Sequence, residues 1–129
     1  MIVGVTGGIG SGKSRVASLL GRLLSGIVIS ADDVCRELLE AGREGYLQFV
    51  RSGGSQFLDG DGELNRVKLR DKIFADPALR DQLEAILHPL VLEKIQTVAK
   101  DAPESFVIAE VPLLFERGWQ DQFDTIISV

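Results

Sequence analysis

The chain has 129 residues, a length that suits one domain and allows a real core. Its formal net charge of −5 argues against a duplex-binding protein, which would present a basic face, so positive charge used on an anionic ligand must be placed locally. A single cysteine, Cys35, excludes an internal disulfide, and no apolar run reaches the roughly 20 residues that span a bilayer. The start, Met1-Ile2-Val3-Gly4, lacks the basic opening and long apolar run of a signal peptide, so a cytoplasmic chain without a membrane or nucleic-acid partner is expected.

The first element in chain order is a short β-branched run, Ile2 to Thr6, closed by Gly7-Gly8, which predicts a buried strand. Val16, Leu19, Leu20, Leu23 and Leu24 recur at helical spacing and predict an amphipathic helix from Lys13 to Leu24. Ile27 to Ile29 reads as a second strand, followed by a helix from about Asp32 to Ala41. A glycine-rich stretch over 42–65 surrounds a short helix near Tyr46 to Arg51. Asn65 is a candidate N-cap for a helix to Phe74, and Asp76-Pro77 is a start signal for the next. His88-Pro89 is expected to interrupt that helix, with Leu90 to Ala99 forming another. Strands over Phe106 to Val111 and Thr125 to Val129 complete an alternation that predicts an α/β fold, a parallel sheet covered by helices. The helices between the second and third strands are too many for one crossover, and an inserted helical subdomain is expected over 40–101. Because the chain stops inside an apolar strand, the 129 residues are expected to be a fragment of one domain, incomplete at the C-terminus.

Gly7-Gly8-Ile9-Gly10-Ser11-Gly12-Lys13-Ser14 fits G-x-x-x-x-G-K-[ST] and lies between a predicted strand and a predicted helix, the context that this phosphate-binding loop requires. Glycines let the main chain wrap a phosphate with its N–H groups turned inward, and the helix N-terminus adds about half a positive charge. Lys13 brings a full charge to the β- and γ-phosphates, and Ser14 offers a hydroxyl to Mg²⁺. Gly8, Gly10, Ser11, Gly12, Lys13, Ser14 and the Arg15 amide are the candidate ATP contacts. The dinucleotide pattern G-x-G-x-x-G fails, since its last position falls on Lys13 or Arg15. A GTPase is excluded as well: Asp59-Gly60-Asp61-Gly62 sits in a polar turn with no strand before it, and no N-K-x-D exists. A small-molecule kinase and a nucleotide-binding module without chemistry remain. Asp32, just past the second strand at the sheet's carboxyl edge, is placed to accept a hydrogen bond from an acceptor hydroxyl; Asp32 or Asp33 is equally suited to cap the following helix. A carboxylate is too weak a base to strip an alcohol before attack, so orientation and late proton acceptance would be its contribution.

Several separated segments together resemble dephospho-CoA kinase: Thr6 to Ser14, Ala31-Asp32 with Arg36, Asp61 to Arg66 with Phe74, His88-Pro89, and Pro112-Leu113-Leu114-Phe115-Glu116. The resemblance covers essentially the whole chain. It implies an ATP- and Mg²⁺-dependent transfer to the 3′-hydroxyl of dephospho-CoA, the last step of coenzyme A synthesis. It also implies that Asp32 faces that hydroxyl, that Arg36 holds the acceptor's phosphates, and that the inserted helices bind the acceptor. Thr6, His88, Pro112 and Leu113 are further acceptor-side candidates; His88 reads equally as a helix-end residue, and Pro112 to Glu116 as a buried apolar loop. Cys35 reads as a small helix residue, and Trp119 and Phe123 as core. Four departures from the family pattern stand out. Ser30 and Glu110 each occupy a position where Asp is frequent, Arg15 replaces a usual Thr, and the arginine-bearing lid expected after the fourth strand is missing. Such arginines contribute about 10³–10⁵ in rate, so the chain is expected to bind nucleotide better than it turns it over.

Overall fold

The computed structural model describes residues 1–8 and 10–129. Four parallel strands form one sheet in the order β2-β3-β1-β4, with β1 at Ile2–Thr6, β2 at Ile27–Ser30, β3 at Val107–Glu110 and β4 at Thr125–Ser128. Strand β1 has a partner on each side and is buried at every position, which its apolar, β-branched sequence permits. Helix α1 (Lys13–Leu23) lies on one face, where Ala17 packs with Val5 and Ile108. Its approach is set by Gly21, at which a Cβ would stand 2.4 Å from Cγ2 of Val28. Alternation puts Gly4 on the opposite face, where a Cβ would stand 2.9 Å from Cδ1 of the buried Leu114.

The order of the strands positions the site. From β1 the chain crosses through α1 to β2 on one side of the sheet, whereas from β3 it passes to β4 on the other. Connections that leave adjacent strands in opposite directions open a crevice at their carboxyl ends, and open α/β sheets bind ligands there.

Two compact units are present, one comprising Met1–Val34 with Leu92–Val129 and containing the sheet, the other Cys35–Val91. The second is helical. Between α2 (Ala31–Leu38) and α5 (Pro77–Asp101) run α3 (Glu44–Arg51), a 3-10 turn at Gly54–Phe57, and α4 (Arg66–Ala75). Its core joins Phe49 and Phe57, whose ring centroids are 6.0 Å apart, with Leu39, Leu64, Leu69, Leu83 and Leu87. Gly54 is fixed by that packing, since a Cβ there would lie 2.6 Å from the Phe49 ring. Asn65 caps α4 by accepting from the Lys68 amide at 3.0 Å, and Asp76 caps α5 by accepting from the amides of Ala78 at 3.1 Å and Leu79 at 3.3 Å. Asp59 to Gly62 is a surface turn closed by a Gly62 N–H to Asp59 carbonyl bond of 3.0 Å, and the Tyr46 hydroxyl donates to the Gly62 carbonyl.

The expected break at His88-Pro89 does not occur, because α5 is a single helix of 25 residues with Pro89 inside it. The penalty of an internal proline, about 3 kcal/mol, is offset by burial. Leu83, Leu87, Val91 and Ile95 form a buried stripe at four-residue spacing that stays in phase through the exposed Pro89. Helix α2 also ends earlier than expected, at Leu38 rather than Ala41. Among the described residues, no helix is long and apolar enough to cross a membrane.

Candidate active site

The loop after β1 is open on the side where an anion would sit. Gly10 and Gly12 have φ of 73° and 89°, values that L-residues with side chains rarely adopt. At Gly8, Gly10 and Gly12 an added Cβ would meet nothing within 4 Å, so among the described residues no side chain crowds the loop at these three positions. Gly12 is the N-cap of α1 and brings no side-chain cap, and the first turn carries no acidic residue. The first N–H groups of the helix therefore remain available to an anion. Ser11 Oγ is the one buried side-chain polar atom without a hydrogen-bond partner among the described residues. A phosphate oxygen would satisfy it. Ile9, the third residue of the motif, lies outside the described residues. Lys13 opens α1, half-buried, and Arg15 is exposed two residues later.

The sheet register brings a carboxylate to this loop. Glu110, the last residue of β3, pairs with Val5 on one side and Ser30 on the other. Its side chain thereby points to the α1 face, and the Ser14 hydroxyl donates to Glu110 Oε1 at 2.5 Å. Hydroxyl-to-carboxylate bonds of this length are among the stronger hydrogen bonds in proteins. The sequence marks Glu110 as a departure from the usual Asp and leaves open whether it helps organise a metal; the contact with Ser14 needs two residues 96 apart to meet, which follows only from the β1–β3 pairing.

Ser30 also settles what caps α2. Its Oγ accepts from the Asp33 N–H at 3.3 Å, the contact of an N-cap with the third helical residue. The capping alternative for Asp32 and Asp33 is therefore corrected: both sit in the first turn, beyond the cap. Asp32 is exposed at the carboxyl edge of the sheet and makes no side-chain hydrogen bond or ion pair among the described residues. Replacing Ser30 by alanine should lower unfolding stability by about 1 kcal/mol. Replacing Asp32 by alanine should leave it within about 0.5 kcal/mol. Urea unfolding of both variants measures the difference.

A second cleft of about 220 Å³ flanks the loop, lined by Thr6, Gly7, Gly8, Leu113 and Phe115 among others. The buried Thr6 forms one wall, its Oγ1 accepting from the Leu114 N–H at 3.3 Å and so tying β1 to the loop after β3. Leu113 holds a φ of 57° without being glycine, a conformation that a non-glycine residue keeps only where its surroundings impose it. With Leu113 and Phe115 both exposed, 112–116 is not a buried apolar loop, although Leu114 within it is fully buried. Trp119 is core, at 5% exposure. Arg36 lies on α2, four residues beyond Asp32, and shares a pocket with Arg66 and Arg70. His88 is half-buried within α5 and does not line that pocket.

A family model described as dephospho-CoA kinase matches residues 1–129. Among curated relatives, dephospho-CoA kinase of Desulfotalea psychrophila is 42% identical over 131 residues, covering 100% of this chain and 66% of that protein. The dephospho-CoA kinase of Moorella thermoacetica is also 42% identical, covering 99% of this chain and 62% of that one. In the solved structures, TT1252 from Thermus thermophilus superposes with a TM-score of 0.79 at 33% identity, over 100% of this chain and 64% of that chain. Dephospho-CoA kinase from Campylobacter jejuni follows at a TM-score of 0.63 and 27% identity, over 89% and 58%. The chain thus spans somewhat less than two thirds of the length of the relatives it matches. From its first residue to its last, it belongs to the dephospho-CoA kinase family.

Proposed function

We propose that this chain supplies the nucleotide site and the acceptor site of a kinase that moves the γ-phosphoryl group of ATP to the 3′-hydroxyl of dephospho-CoA, giving CoA and ADP. The observation that carries this reading is the open, uncapped glycine loop at the switch point of the sheet, with the orphaned Ser11 hydroxyl inside it and the Ser14–Glu110 pair beside it. Family membership supports dephospho-CoA as the acceptor.

Each residue then has a physical task. The amides from Gly8 to Arg15 and the Lys13 ammonium hold the triphosphate, with charge placed where it develops in transfer. The acceptor's O3′ attacks Pγ as the bond to the leaving ADP oxygen breaks, and the hydroxyl proton passes to Asp32 late in the step. Asp32 carries out no capping that would compete with this. Thr6 and Leu113 line the cleft beside the loop, whereas Pro112 does not line it, and Arg36 and His88 are assigned to the acceptor's remote part, on the helical segment 40–101 and its approach.

Mg²⁺ fits the oxygen donors at hand. Among the described residues no cluster of three or more His, Cys, Asp or Glu could hold a metal by itself, which suits an ion that takes most of its ligands from phosphate and water. Ser14 would hold it directly, oriented by Glu110. When bound, the ion neutralises charge on the β- and γ-phosphate oxygens. Replacing Glu110 by glutamine should raise the Mg²⁺ concentration for half-maximal rate about tenfold, the cost typical of losing a group that orients a metal ligand. A Mg²⁺ titration at saturating ATP measures it, and an unchanged midpoint would remove Glu110 from this role.

The direct test is transfer by the protein at its native full length. With ATP and dephospho-CoA, CoA and ADP should form in equal amounts. Equal turnover of nucleosides with none of dephospho-CoA would assign the chain to another kinase, and ATP binding without transfer to any alcohol would make it a nucleotide-binding module.

A further inference from the structure

The Asp32 carboxylate is exposed and has no side-chain hydrogen bond or ion pair among the described residues, so its direction is set by the main chain that carries it. That main chain is fastened at both ends of a very short span. Ser30, two residues earlier, closes β2 and pairs with Glu110 of β3. Its Oγ then reaches over Ala31 and Asp32 to accept from the Asp33 N–H at 3.3 Å. Ala31, inside the span, is 1% exposed and anchors the same turn in the core. A hydrogen bond that encloses only two residues leaves their φ and ψ little freedom, and Asp32 is one of the two.

The strand register gives this local bond a consequence across the sheet. Glu110 is the pairing partner of Ser30, and its Oε1 accepts from the Ser14 hydroxyl at 2.5 Å. Three links thus join the phosphate loop to the acceptor-side carboxylate: Ser14 to Glu110 by side chains, Glu110 to Ser30 by strand pairing, and Ser30 to the Asp32 turn by the cap. All of these residues lie in the unit Met1–Val34 with Leu92–Val129. Phosphoryl transfer depends chiefly on placement, and moving a group by about 1 Å can cost about 10²-fold in rate. We propose that Ser30 is a positioning residue: through its bond to the Asp33 amide, its hydroxyl holds the Asp32 carboxylate at a set place relative to the Ser14–Glu110 pair. The task of Asp32 rests on the kinase reading above, whereas the fastening does not. Ser30 acts on the acceptor's carboxylate and Glu110 on the metal-side hydroxyl, so the two residues should fail in different ways.

Amide hydrogen exchange and kinetics of the protein at its native full length test this in the wild type, Ser30→Ala, Ser30→Thr, Asp32→Asn and the Ser30→Ala/Asp32→Asn double variant. The Asp33 amide should exchange about fivefold faster in Ser30→Ala, and Ser30→Thr, which keeps a capping hydroxyl, should return it to within about twofold of wild type. At a temperature where the variant is fully folded, Ser30→Ala should lower kcat about tenfold, while ATP affinity by calorimetry and the Mg²⁺ midpoint stay within about twofold. In the Asp32→Asn background the same substitution should cost less than about twofold, because a residue that acts through another has no effect once the other is gone. A wild-type kcat in Ser30→Ala, or the full tenfold loss persisting in the Asp32→Asn background, would overturn the proposal and leave Ser30 as a helix cap alone. A raised Mg²⁺ midpoint in Ser30→Ala would also overturn it, by moving Ser30 to the metal side, and so would unchanged exchange at Asp33. Faster Asp33 exchange, restored by Ser30→Thr, in a protein that transfers no phosphoryl group would support the fastening and refute the kinase reading.

Discussion

Replacing Lys13 by alanine should lower phosphoryl transfer by about 10²–10³, the cost of removing one preorganised donor from developing phosphate charge. The loss is expected in kcat as well as in ATP affinity, because in the proposed reaction the ammonium would meet the β- and γ-phosphates where charge shifts during transfer. No side-chain hydrogen bond or ion pair of Lys13 occurs among the described residues, and unfolding stability in Lys13→Ala should change by less than about 0.5 kcal/mol. Arginine at this position should not restore activity, since a planar fork does not replace a compact charge inside a tight loop. Single-turnover kinetics with an ATP titration separates the two effects.

Replacing Asp32 by asparagine should lower turnover by about 10²–10³, within the range for general acid–base groups and toward its lower end because the transition state is loose. ATP affinity should change little. The structure makes this a cleaner experiment than the sequence promised. With Ser30 capping α2, the substitution leaves the helix start intact, and a loss of rate cannot be ascribed to an unravelled helix. Turnover equal to wild type would remove the carboxylate from the reaction.

How much was readable in advance depended on the range of the interactions. The phosphate loop was legible because a contiguous run of residues encodes it: glycines where φ is positive, and a lysine and serine at the helix start. The caps at Asn65 and Asp76 were legible for the same reason, each acting on amides two or three residues away. Pro89 misled because the rule that proline breaks helices is local, while the buried stripe through Leu87 and Val91 that overrides it depends on the core of the folded protein. The Ser14–Glu110 contact and the grouping of Arg36 with Arg66 and Arg70 were hidden because they need register and packing across many residues. Ser30 was visible only as a residue missing a carboxylate; that its hydroxyl takes over the capping that Asp32 and Asp33 were candidates for required the helix boundary.

The central physical claim is that main-chain amides of an open loop, closed by one ammonium group, hold the phosphates of ATP. Backbone amide shifts followed by heteronuclear NMR during titration with Mg·ATP test it most directly. The account predicts that the largest shifts fall on the amides of Gly8, Gly10, Ser11, Gly12 and Lys13 and that Lys13→Ala abolishes them at the same ATP concentration. Saturable ATP binding that leaves those amides unmoved, or that survives unchanged in Lys13→Ala, would contradict it.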